Sequence, residues 1–187
     1  MADTEKWLRE GEQTKFTPKI KELAEDLDKK SDNDFELIIR ILEHIQKEIE
    51  HDDSDKDQLF RERTAAEILE DGFSTGCTDH ALVFITVARA AGIPTKYIEG
   101  VQGDKEHLKQ VAENGKIKIK GHVIAKCFIK GEWYGVDPSK TSLFLDPRKV
   151  SFLELWEGLD SWDLNLRDKK TLSNRIREYK EEEMKDG

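Results

Sequence analysis

The stretch Ser74-Thr75-Gly76-Cys77-Thr78-Asp79-His80-Ala81 constrains this chain most, because it runs directly into Leu82-Val83-Phe84-Ile85-Thr86-Val87-Ala88-Arg89-Ala90-Ala91. A polar, glycine-containing turn gives way to an apolar segment, with a cysteine at the joint. Gly92-Ile93-Pro94 closes that segment, since glycine suits a left-handed C-terminal position and proline cannot extend the hydrogen-bond ladder. The pattern predicts a helix that is apolar on most faces and therefore buried. A thiol at its N-terminus meets unpaired N–H donors and the positive end of the macrodipole. Both favour the thiolate, which is the nucleophilic form. On this stretch alone two roles stay open for Cys77: a nucleophile on a rigid element, or a small apolar residue of the core.

Bulk properties narrow the function classes. The length of 187 residues suits one domain. The net charge is -9 and no Lys/Arg cluster offsets it, which argues against nucleic-acid and anionic-membrane partners. The start, Met1-Ala2-Asp3-Thr4-Glu5-Lys6, is charged and shows no signal-peptide pattern, and no apolar run approaches a membrane span. A cytoplasmic location is expected. Two cysteines, Cys77 and Cys127, cannot build a Cys-rich zinc site, and no Cys-x-x-Cys pair supports a redox role. In a reducing compartment both are expected as free thiols.

Along the chain, a single domain is expected over residues 1–187. It has an N-terminal helical arm (1–32), a core of about residues 33–140, and a C-terminal tail (141–187). Thr17-Pro18 predicts a capped helix start, followed by Ile20, Leu23, Ala24 and Leu27 at helical spacing. Asn33 with Glu36 predicts a second start, with Phe35, Ile38, Ile39, Leu42, Ile45 and Ile49 on one face and His44 as a surface or packing residue. The run from His51 to Asp57 is acidic. Asp53, Asp55 and Asp57 echo a calcium loop, but Gln58 stands where that loop needs Gly and Thr64 where it needs Glu, so a solvated loop is expected. Thr64 with Glu67 forms a capping box for a short helix ended by Gly72. Thr95–Val101 alternates like a strand. Gln102–Gly115 reads as a polar insertion with a helical turn around Leu108 and Val111 and a surface His107. A long strand then runs from Ile117 and Ile119 to Ile129, and Glu132–Asp137 returns. The tail carries Phe152, Leu155, Trp156, Leu159 and Trp162 as apolar anchors, then a helix over Thr171–Met184.

The two strands bring further chemistry. Side chains alternate along a strand, so His122, Ile124, Lys126 and Phe128 share a face and Cys127 takes the other. If Lys130-Gly131 is a two-residue turn, Ile129 faces Glu132 and Ile124 faces Asp137, which puts Asp137 diagonal to His122 on one face. A three-residue loop would flip Asp137 away. Thiolate, imidazole and carboxylate together supply a nucleophile, a base and an orienting group. Asp79 in the first helical turn would raise the Cys77 pKa if close, and His80 is a rival base.

The blocks Gly76-Cys77…Ala81…Arg89-Ala90-Ala91-Gly92-Ile93-Pro94…Gly100, then Gly121-His122, then Trp133…Val136-Asp137-Pro138, resemble the transglutaminase-like superfamily of papain-related cysteine enzymes. The resemblance covers roughly Phe35 to Ser139. It implies Cys77 as nucleophile, His122 as general base and acid, and Asp137 as orienter. Animal transglutaminases carry Trp directly after the cysteine, where this chain has Thr78, and their extra β-domains and calcium sites have no counterpart here. The zinc module of peptide N-glycanases has no cysteines to build it.

The expected fold is α+β: an N-terminal helical layer, a buried cysteine helix and a small antiparallel sheet. The expected function is a cysteine hydrolase or acyltransferase, a peptidase, amidase or protein-glutamine acyl-transfer enzyme. It would act through a Cys77-His122-Asp137 triad and a thioester, on a peptide or protein substrate, with no cofactor or metal. Hydrolysis is favoured because nothing marks a second, amine-binding site. The Cys77 N–H would supply one oxyanion donor; for the second, Trp133 and Trp162 are candidates only as indole donors, and packing is the expected role of both. The alternative is a non-catalytic module of the same fold that binds a peptide or protein in its cleft. The acidic loops suggest basic substrates, and the tail is expected along the cleft.

Overall fold

The computed structural model describes residues 4–52, 54–103, 120–144 and 152–183. The expectations for Asp53, His107, Leu108, Val111, Ile117, Ile119 and Met184 lie outside these residues.

The N-terminal arm makes one 3-10 turn over Glu5–Leu8, which buries Trp7. Helix α1 (Pro18–Lys29) starts as its sequence dictates: the Thr17 side chain accepts from the Ile20 N–H and Pro18 takes the first turn, where its missing donor costs nothing. Helix α2 (Asp34–Glu48) is capped by the Asn33 side chain, which accepts from the N–H groups of Phe35 and Glu36. Glu36 reaches one residue further back than in a capping box and accepts from the Asp32 N–H at 2.9 Å. The buried face of α2 comprises Leu37, Ile38, Ile41, Leu42 and Ile45, whereas Ile39 is exposed. Phe35, Ile38, Leu42, Ile45 and Ile49 of the expected face do pack on the core; Leu37 and Ile41 join them in place of Ile39.

The acidic run is more ordered than a solvated loop. Glu50–His51 forms a short strand β1, parallel to β2 (Phe73–Ser74), and Lys56–Leu59 makes one helical turn, α3. Between them in sequence, α4 (Ala65–Asp71) carries the expected capping box of Thr64 and Glu67 and ends at Gly72, whose φ of 73° needs a glycine.

Helix α5 (Cys77–Ala90) is the centre of the fold. Residues 81–89 are all buried, and the helix packs against α1, α2, α4 and the main sheet. That sheet is antiparallel and five-stranded, in the order β6-β5-β4-β3-β7. Its strands are β3 (Thr95–Gln102), β4 (Gly121–Ile129), β5 (Glu132–Asp137), β6 (Ser142–Phe144) and β7 (Phe152–Gly158). Val123, Ala125, Cys127 and Ile129 of β4 join the core that α5 fills. The chain thus has the α+β architecture its sequence implies.

The β4–β5 hairpin turns on Lys130 and Gly131, both at positive φ (50° and 90°), the conformation of a two-residue primed turn. Ile129 therefore pairs with Glu132 and Ala125 with Val136, the register that keeps Asp137 on the His122 face.

The tail contributes what its sequence hid. Residues 152–158, expected only as scattered anchors, form the edge strand β7 on β3, and α6 (Lys169–Glu183) follows. No described helix is long and apolar enough to cross a membrane.

Candidate active site

Cys77 is the first residue of α5. Its N-cap, Gly76, has no side chain to occupy the first-turn donors, so those N–H groups stay available to an anion. Cys77 is half-buried at a cleft of about 820 Å³, which His122 also lines. Cys127, by contrast, is fully buried on the core face of β4. Burial pushes its thiol up to about 12, and its sulfur lies 3.6 Å from the Thr95 hydroxyl. Both cysteines are free thiols.

His122 sits near the start of β4 and lines the same cleft as Cys77, close enough for the sulfur to act on its imidazole. Its Nε2 lies 2.7 Å from Asp137 Oδ2, which leaves the other ring nitrogen for the sulfur. Burial acts to lower the imidazole pKa, but hydrogen bonds to Asp137 and Cys77 and their negative charges outweigh it and hold it at about 9. Asp137 is 1% exposed. Burial would raise its pKa, yet the His122 bond, the Ser139 hydroxyl and the Lys140 charge hold it down at about 2. Its second oxygen accepts from the Ser139 N–H and from the Ser139 hydroxyl at 2.7 Å, so the carboxylate cannot rotate away from the ring.

Asp79 and His80 have separate duties. Asp79 accepts from the Thr75 N–H and hydroxyl and from Arg63 Nη2 at 2.6 Å. The carboxylate beside Cys77 is thus matched by a buried guanidinium and pins the turn ahead of the helix. His80 spans Ser74 Oγ and the Gly76 carbonyl, each at 3.2 Å. Burial keeps its imidazole below the usual range. It braces the Cys77 turn, and no carboxylate among the described residues bonds it.

Neither tryptophan offered as an oxyanion donor serves. Trp162 Nε1 donates to the Arg61 carbonyl at 2.7 Å, and Trp133 stacks near Phe128 and Lys96; neither lines the cleft. Both pack instead.

Two supports escaped the sequence reading. Phe152 of β7 meets the His122 ring edge-on, with centroids 6.0 Å apart. It fits there because position 100 is glycine: a Cβ on Gly100 would stand 2.4 Å from Phe152 and 2.3 Å from the Leu153 carbonyl. Arg61, buried at positive φ, bonds Glu99 at 2.7 Å and the Leu166 carbonyl, and it lines the cleft beside Cys77. Glu99 also accepts from Tyr97 at 2.8 Å, and burial pushes its carboxyl up. Nothing in local sequence marks either support. Ser139 does carry a signal, since an Asp two residues ahead of a Ser is a common turn-forming pair.

A family model described as the transglutaminase-like superfamily matches residues 21–138, more than half of the chain. The chain belongs to that superfamily. Among solved structures, this transglutaminase-like protein is similar to a candidate cysteine protease from Cytophaga hutchinsonii. The TM-score is 0.66 at 19% identity, over 87% of this chain and 49% of the other. It is also similar to the periplasmic domain of TgpA from Pseudomonas aeruginosa, with a TM-score of 0.53 at 21% identity, over 72% of this chain and 46% of the other. The same TgpA domain bound to ethylmercury gives 0.54 at 20% identity. The chain spans about half the length of these structures, and likeness at such identities establishes the fold alone. A search of curated proteins finds no match.

Proposed function

We propose that this transglutaminase-like protein is a cysteine enzyme that cleaves or transfers an acyl group at an amide of a peptide or protein. The observation that carries the reading is the 2.7 Å pairing of His122 with Asp137 beside a cleft that both Cys77 and His122 line, with the sulfur near enough to act on the imidazole. Cys77 would attack the amide carbonyl, so that an S–C bond forms and the carbonyl oxygen takes up negative charge near the first-turn N–H groups of α5. His122 would pass its proton to the departing amine, and the C–N bond breaks to leave a thioester. Water, deprotonated by the same imidazole, would then release the acid and restore the thiol. Asp137 holds the ring and stabilises its charged form throughout.

The test is alkylation and acylation at neutral pH. Iodoacetamide is expected to label Cys77 far faster than Cys127 and faster than a free cysteine derivative. An activated aryl ester is expected to leave an acyl group on Cys77, found by intact-mass spectrometry. His122→Ala should slow that acylation by about 10²–10⁴-fold, the usual worth of a general base. A Cys77 no more reactive than the free thiol, with no acyl adduct, would refute catalysis and leave a module that only binds peptide.

A further inference from the structure

The acidic loops of the sequence suggested basic substrates; the cleft itself has the opposite character. We infer that it selects an acyl donor with carboxylates flanking the attacked amide, an acidic peptide segment, and that Lys56 and Lys120 set the preference. This rests on the cysteine-enzyme reading above.

The chain carries a net charge of -9, yet among the described residues Lys56, Arg61, Lys120 and Lys140 line the cleft against the carboxylates of Glu50 and Asp79. Asp79 is already matched by Arg63, at 2.6 Å. Arg61 is matched by Glu99 and Lys140 leans on Asp137 at 3.2 Å, so these two cations are largely committed. Lys56 and Lys120 are both exposed, and neither forms an ion pair among the described residues. They flank the reacting groups. Lys56 Nζ lies 3.8 Å from where a Cβ on Gly76 would stand, beside the residue before Cys77. Lys120 immediately precedes Gly121 and His122 and lines the same cleft.

The described acids of the neighbouring run stay out of the cleft. Asp52, Asp55 and Asp57 do not line the cleft. Asp52 accepts from the Ser54 N–H at 2.9 Å, and Asp57 bonds Lys169 of α6. A peptide lying across Cys77 therefore meets two ammonium groups that no carboxylate among the described residues engages. A cleft lined by one sign of charge concentrates ligands of the other, even on a protein whose total charge would repel them.

Cys77 itself reports this field. In alkylation the thiolate sulfur displaces iodide, so an S–C bond forms as the C–I bond breaks, and iodoacetate differs from iodoacetamide by one negative charge. The ratio of the two rates is expected to fall by about tenfold in Lys56→Glu/Lys120→Glu, the low end of the effect of a charged cleft. The iodoacetamide rate of each protein serves as its own reference, so that any change in thiolate content cancels from the ratio. Of two tripeptide chloromethyl ketones differing only in a Glu or a Lys beside the reactive residue, the Glu compound is expected to inactivate the wild-type protein faster. The difference should shrink at about 0.5 M salt. An unchanged iodoacetate ratio in the double variant, or equal inactivation by the two peptides, would overturn the inference. The two failures are separable: an unreactive Cys77 refutes the enzyme, whereas a reactive Cys77 blind to charge refutes only the acidic substrate.

Discussion

Replacing Asp137 with Asn keeps the side chain's shape but removes the charge that faces His122. In the folded protein the imidazole pKa rises from 6.5 to about 9, because the bonds and charges of Asp137 and Cys77 outweigh burial. That rise corresponds to about 2–3 kcal/mol in favour of the charged ring, after allowing for contact with cleft water. A raised histidine stabilises the fold fully below its unfolded pKa of 6.5, and the contribution is lost as pH climbs through about 9. Asp137, held at about 2, contributes stability above 3.8 that disappears as pH falls through about 2. Urea titrations of wild type and Asp137→Asn should therefore differ by about 2 kcal/mol at pH 6, and by clearly less above pH 9. An NMR titration of the His122 ring should place its midpoint at least one pH unit lower in the variant. Alkylation of Cys77 should follow, with the upper limb of its pH–rate profile moving down by the same interval. Superimposable NMR titrations of the two proteins would refute the coupling, whatever the stability difference.

Two further outcomes follow from the packing. Gly100→Ala should cost about 1–3 kcal/mol by overpacking, read as a lowered urea midpoint, since the new methyl collides with the Leu153 carbonyl and Phe152. Asp79→Ala should cost about 3 kcal/mol in the same titration, because the one ion-pair partner Arg63 then keeps among the described residues is Asp71, near the surface, and the Thr75 donors lose their acceptor.

The parts of this fold that were legible in sequence are those where a local rule decides. Thr17-Pro18, Thr64…Glu67 and Gly72 announce helix ends by capping chemistry, and the apolar run after Cys77 announces a buried helix. The His122–Asp137 contact was legible because strand alternation and a two-residue turn together fix a register. The edge strand β7 was not. Glu99 pairs with Trp156 while Gly100 pairs with Glu154, so Leu155 is an extra residue that breaks the period-2 pattern on which strand recognition depends. The partners of Arg61 were hidden for another reason: Glu99 and Leu166 lie far along the chain, and no local pattern marks a buried ion pair. Ile39 misled because several helical faces of α2 are apolar, and the packed face is chosen by the neighbouring helices.

The irregularity between Glu99 and Gly100 has a consequence for where this machinery ends. Sequence similarity to the superfamily stops at residue 138, one position past the carboxylate, while the wall against the imidazole is Phe152. The segment that keeps the ring in place is thus longer than the segment by which kinship is recognised. Grafting or trimming this domain at the boundary of similarity would carry over sulfur, imidazole and carboxylate but leave the ring without its aromatic backstop.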